Sequence, residues 1–237
     1  MKNIKNWLNG TEIKEIGFLK IKEELERNYS FELVRDIISL PCMQYSIEPK
    51  LSLMIAHLED KVVNDTVIGV LCQILGDIPI ELWRKYRENL NIFIKENYYL
   101  LSRSQFLLLA HTIEVMYARG YEYTFQFLNL IYQRIALQDY EFNPDSDDNI
   151  RIKLAKIAYS SSVYNIQDKL NAISAVKHRL KTSGREYLLG VLNYYKGLCL
   201  KIANCKIGYN DSTYYLLKAR NRGFELAKVY LDYNLSS

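Results

Sequence analysis

The chain has 237 residues, of which 49% are apolar and 24% charged, and its net charge is +4. That length suffices for one large domain or two small ones with a core that needs neither disulfides nor a structural metal. Ten Gly and four Pro are few for an all-β protein full of tight turns, and no apolar run reaches the ~20 residues of a membrane-spanning helix.

At the N-terminus, Met1–Trp7 offers no apolar segment followed by a cleavage site, so no secretory signal is expected and the expected location is cytoplasmic. Thr11–Asn28 reads as a charged helix with Ile13, Ile16, Phe18, Ile21 and Leu25 apolar. Ser30 can cap a second helix that stops before Pro41. Pro49 suits the first turn of a third, with Leu51, Met54, Ile55 and Leu58 on one face. Asn64 or Asp65 begins a fourth that ends near Gly76. Asp77 is expected to cap a fifth, with Pro79 at its start and Ile80, Trp83, Leu90 and Ile94 at helical spacing.

Ser102-x2-Gln105 has the form of a capping box, in which each side chain satisfies the other residue's backbone N–H. The helix it opens presents Phe106, Leu109, Ala110, Ile113, Met116 and Tyr117, and Gly120 ends it. A partner helix follows from Tyr121 to about Gln138. Residues 139–149 hold five acids, one proline and no base, and read as an acidic linker. Further helices are expected over Ile150–Tyr159, Ile166–Leu180 and the stretch Tyr187–Leu231. The expected fold is all-α, about eleven or twelve helices stacked as antiparallel hairpins in an α-solenoid-like array, because period-two alternation never persists.

The linker coincides with a change of charge. Residues 1–148 carry 16 Lys and Arg against 22 Asp and Glu, whereas residues 149–237 carry 15 against 5. The expected organisation is an acidic half (1–138), the acidic loop (139–149) and a basic half (150–237), with one continuous domain as the alternative. A field of one sign over one end steers a partner of the other sign.

The last stretch carries Leu189-Gly190, then Tyr194-x2-Gly197, then Lys218-Ala219-x3-Gly223-x3-Ala227-x3-Leu231. Small residues at these points let helices approach closely, and Gly223 can take the positive φ that ends a helix. This pattern resembles the Sel1-like branch of the tetratricopeptide superfamily over one repeat. Arg220 replaces the second alanine of the family's pair, and Asp232 stands where a glycine would come next. Tyr117-x2-Gly120 lies 77 residues before Tyr194-x2-Gly197 and marks a second candidate hairpin. The resemblance implies stacked helix pairs that bind another protein.

Motifs for chemistry are missing. Asp145-x-Asp147-x-Asn149 begins like a calcium loop, but Ile150 occupies the place of its glycine and Lys156 that of its glutamate. His57, His111 and His178 have no second ligand at metal spacing, and Cys42, Cys72, Cys199 and Cys205 show no C-x-x-C pair. No nucleophile elbow, Walker loop or dinucleotide fingerprint occurs. No cofactor and no catalytic residue is therefore expected.

What remains is a surface. Lys177, Lys181, Arg185, Lys218 and Arg222, interleaved with Tyr194, Tyr195, Tyr214 and Tyr215, could line one basic and aromatic groove. The bland alternative is a solvated helix face with snorkelling lysines. The expected function is a non-catalytic protein-binding module, an immunity- or antitoxin-type inhibitor that occludes a partner toxin. If the toxin cuts RNA, the contact would instead be the acids Asp139, Glu141, Asp145, Asp147 and Asp148. The other reading is a helical-repeat protein whose basic half grips a nucleic-acid backbone.

Overall fold

A computed structural model describes residues 47–48, 51, 54–55, 63–137, 146–160, 165–183 and 185–234. Nine α-helices and no strand occur among the described residues: α1 (Asp65–Gly76), α2 (Ile80–Asn97), α3 (Arg103–Ala118), α4 (Thr124–Leu137), α5 (Asp147–Tyr159), α6 (Ile166–Ser183), α7 (Glu186–Ile202), α8 (Ser212–Arg220) and α9 (Glu225–Asn234). The all-α class follows directly. The helices expected over residues 11–40 and the expected linker acids Asp139, Glu141 and Asp145 lie outside the described residues. The chain divides into two compact units, Met1–Leu109 and Ala110–Ser237.

In the first unit, the Asn64 side chain accepts from the Val67 N–H at 3.0 Å and starts α1. Asp77 does not cap the next helix as expected. Its N–H bonds back to the Ile74 carbonyl, so it closes α1, and Pro79 in extended conformation is itself the N-cap of α2. Proline supplies no capping side chain but holds a φ that suits the entry. Trp83, Leu90, Phe93 and Ile94 are the buried face of α2. The capping box forms as the sequence predicts: the Ser102 N–H donates to Gln105 Oε1 at 2.9 Å and the Gln105 N–H to Ser102 Oγ at 3.3 Å. Gln105 also donates to Asp65 at 2.7 Å, which ties α3 to the start of α1.

In the second unit, α3 ends at Gly120 with φ +82°, where the Tyr121 N–H reaches back to the Met116 carbonyl at 3.1 Å. Ser146 caps α5, so Asp147, Asp148 and Asn149 form a helical first turn and not the loop expected of them. Acids there face the positive end of the helix dipole. The far end of α5 is closed by Lys169, whose ammonium is buried and donates to the Ser160 carbonyl at 2.7 Å and the Ala158 carbonyl at 3.3 Å. Burial lowers the pKa of Lys169 from its ordinary value.

Helix α7 is the centre of this unit. Twelve of its 17 residues are buried, as in a helix apolar on every side and enclosed by neighbours. It packs on α5, α6 and α8; α8 in turn packs on α9, and α4 on α5. The approach of α8 is set by glycines. A Cβ at Gly197 would stand 2.9 Å from Leu216 Cγ and 3.1 Å from the Ser212 carbonyl, and one at Gly190 would stand 3.1 Å from Arg222 Cβ. Gly223, at φ +78°, turns the chain from α8 into α9.

Candidate binding cleft

The close α7–α8 contact runs along Gly190 and Gly197. On the adjacent stripe of α7, Leu189, Leu192 and Asn193 fall at helical spacing and share one face. Asp211 caps α8 by accepting from the Tyr214 N–H at 2.9 Å, which fixes where that helix begins. From that start, Tyr214 and Lys218 follow four residues apart along one edge of α8, and Arg222 comes four residues later in the turn past its end. Before the cap, Ile207 and Asn210 exchange both backbone hydrogen bonds, at 2.9 and 3.0 Å, around a two-residue turn. Gly208 supplies the positive φ of +59° at its first central position, as primed turns demand.

These elements enclose a cleft of about 330 Å³ lined by Lys177, Leu189, Leu192, Asn193, Asn210, Tyr214, Tyr215, Lys218 and Arg222. Three of the lining residues are cations and none is an acid. The Lys218 ammonium stands 4.4 Å from the centre of the Tyr214 ring, and the Lys196 ammonium 4.5 Å from that of Tyr215. The two rings meet edge to face at 5.1 Å. Arg222 also pairs with Glu186 at 3.2 Å, an exposed contact of small energetic weight.

Of the residues the sequence places on a basic groove, Lys177, Tyr214, Tyr215, Lys218 and Arg222 come together here. Lys177 is exposed. Arg185 lies elsewhere, 3.3 Å from Asp147 in an ion pair. Tyr194 and Tyr195 are core residues with no solvent exposure, so neither offers a surface to a partner. On a helix buried all round, apolar spacing cannot tell an inward tyrosine from an outward one. The Lys181 side chain lies outside the described residues. Asp147 and Asp148 are exposed.

A second cluster was not visible in the sequence. Glu114 on α3 has no solvent exposure. Its Oε1 accepts from Tyr132 Oη at 3.0 Å and Tyr195 Oη at 2.5 Å, and its Oε2 from Arg151 Nη2 at 2.9 Å. Arg151 also lies 3.4 Å from His111 Nδ1. Burial works against the charged guanidinium, yet Glu114, Tyr195 and Tyr132 outweigh it and raise the Arg151 pKa overall. Burial and Arg151 lower the pKa of His111, against an opposing pull from Glu114. Around this cluster Tyr159 stacks on Tyr132 at 5.8 Å and meets Tyr117 and Tyr195 edge-on. The cluster is closed by its own members and joins α3, α4, α5 and α7. The signal available in the sequence was slight: Glu114 is the one acid in a 16-residue helix.

Among the described residues, no group of three or more His, Cys, Asp or Glu is placed to hold a metal ion, and no helix is long and apolar enough to cross a membrane. Cys72 and Cys199 are buried free thiols. Comparison with family models, with curated proteins and with solved structures finds no match to this chain.

Proposed function

We propose that the protein is a non-catalytic protein-binding module whose basic cleft receives an acidic segment of a partner. Within that class it acts as an immunity- or antitoxin-type inhibitor that occludes a toxin, built as a Sel1-like, solenoid-type stack of helical hairpins. The observation that carries the reading is the convergence of Lys177, Lys218 and Arg222 on one acid-free cleft walled by Tyr214 and Tyr215. A basic concavity focuses the field toward an acidic partner and speeds encounter. Tyrosine and arginine are the side chains that most often anchor protein interfaces. The glycine-mediated contact of α7 with α8, at the residues that carry the repeat resemblance, supports the stacked-hairpin part.

The test is co-expression with the product of the neighbouring gene, followed by co-purification and a growth assay. A complex that protects cells, and that is lost at high salt and on Lys218→Glu with Arg222→Glu, is the expected result. Co-purification that survives both changes, or no complex at all, sinks the reading. Should the complex instead depend on Asp147 and Asp148, the acidic face is the contact. The same cations favour a second reading, a grip on nucleic-acid backbone, which predicts oligonucleotide binding that falls steeply with salt.

A further inference from the structure

Seven polar or charged residues are buried among the described residues: Gln105, Thr112, Glu114, Thr124, Asn149, Lys169 and Asn193. The first six each engage a neighbour. Asn193 is the exception. It is 7% exposed, it lines the cleft, and its carboxamide has no hydrogen bond among the described residues. Its amide nitrogen and oxygen are not among the fully enclosed side-chain atoms left without a partner, so water in the cleft reaches them. A carboxamide fixed in the cleft wall and met there only by water can exchange that water for backbone groups of a ligand.

We infer that Asn193 reads the backbone N–H and C=O of one residue of the bound segment while Lys177, Lys218 and Arg222 hold the acidic side chain beside it. The inference rests on the reading that the cleft receives a protein. The chemistry of the carboxamide selects the occupant. It presents one acceptor oxygen and an amino group with two donors side by side. The N–H and C=O of one residue in an extended chain point to the same side and offer the matching pair. A phosphodiester offers acceptors only, so it would leave the Asn193 oxygen unmet. The volume agrees: about 330 Å³ is at the lower end of ligand pockets, roughly 300–1,000 Å³, room for a short acidic stretch and not for a folded surface. Asn210 at the cleft edge and Tyr209 beside it, fully exposed at the tip of the turn, lie where such a segment would enter.

The experiment uses the full chain and a fluorescent hexapeptide of four aspartates between two glycines. It is compared with a depsipeptide of the same sequence, in which ester oxygens replace the central amide N–H groups, and with oligothymidylate of equal charge. Anisotropy titrations give the dissociation constants. The ester is expected to bind about tenfold more weakly than the amide, the scale of one lost hydrogen bond. Asn193→Leu should erase that difference. Equal binding of amide and ester to the wild-type chain overturns the inference, as does an unchanged ester penalty in Asn193→Leu. The wild-type comparison decides alone if that variant fails to fold. When both peptides bind, and Lys218→Glu weakens both, the cleft reading stands whatever Asn193 does. No binding of either peptide, or tighter binding of oligothymidylate, removes the cleft reading together with the inference.

Discussion

Glu114 and Arg151 form a carboxylate–guanidinium contact of 2.9 Å in which the carboxylate is wholly enclosed. Two charges taken out of water gain little as a pair, but removing one strands the other. Glu114→Ala should therefore destabilise the fold by about 3–5 kcal/mol, the range for a broken buried ion pair. Urea denaturation followed by far-UV circular dichroism measures it. A loss below about 1 kcal/mol, the size expected of an exposed pair, would show that the cluster does not hold the helices together.

The tyrosines around that carboxylate are not equivalent. Tyr195 donates to Glu114, whereas the buried hydroxyls of Tyr159 and Tyr194 face each other and make no well-formed hydrogen bond among the described residues. Tyr195→Phe should cost about 1.5–3 kcal/mol, the value of a hydrogen bond to a charged group. Tyr194→Phe removes an unmet hydroxyl and keeps the ring on Phe224 at 5.1 Å. It should be neutral or stabilising, by up to about 1 kcal/mol. Thermal melts of both variants give the order, and a Tyr194→Phe protein less stable than Tyr195→Phe would reverse it.

Two glycines test two different physical limits. Gly197 has ordinary helical backbone but no room, while Gly223 has room but a φ of +78°. Gly197→Ala should cost about 1–3 kcal/mol by overpacking against Leu216 and the Ser212 carbonyl. Gly223→Ala should cost about 1–2 kcal/mol by backbone strain alone. Shortening Leu216 to Ala in the same chain should recover part of the first loss and none of the second. A double-mutant cycle on urea midpoints reads this directly.

The core is a store of protonated phenols and thiols. Burial raises the pKa of Cys199 from 9.0 to about 11, and holds Tyr132, Tyr159, Tyr194 and Tyr195 well above 10.0. Each of these groups keeps its proton more tightly folded than unfolded. Their contribution is thus intact below the unfolded-state values of 9.0 and 10.0 and is lost as pH rises beyond them. Stability should hold to about pH 9 and then fall with a growing slope. Tyrosinate absorbance from the four buried rings should rise together with loss of helical signal. Their ionisation with the fold intact would contradict it.

Local signals were readable where the partners were near in sequence. Ser102 and Gln105 found each other three residues apart, and Gly120 and Gly223 took the positive φ that helix ends require. The cleft cations were readable too, since Lys218 follows Tyr214 by four residues on α8 and Arg222 follows Lys218 by four in the turn past its end. Glu114 was not, because its partners stand 18, 37 and 81 residues away. Nor was Asn193, one polar residue on a helix whose other contacts give periodicity no empty side to register. Asp77 was misplaced because a helix exit and a helix entry fall within three residues, and an aspartate suits either.

The turn at Gly208 and Tyr209 has a practical use. Tyr209 projects wholly into water, while its neighbour Asn210 belongs to the cleft wall. A fluorophore carried at position 209 would sit a residue away from any occupant without blocking it. Its emission would then report arrival and departure in real time, in a protein whose two tryptophans are both distant in sequence from that spot.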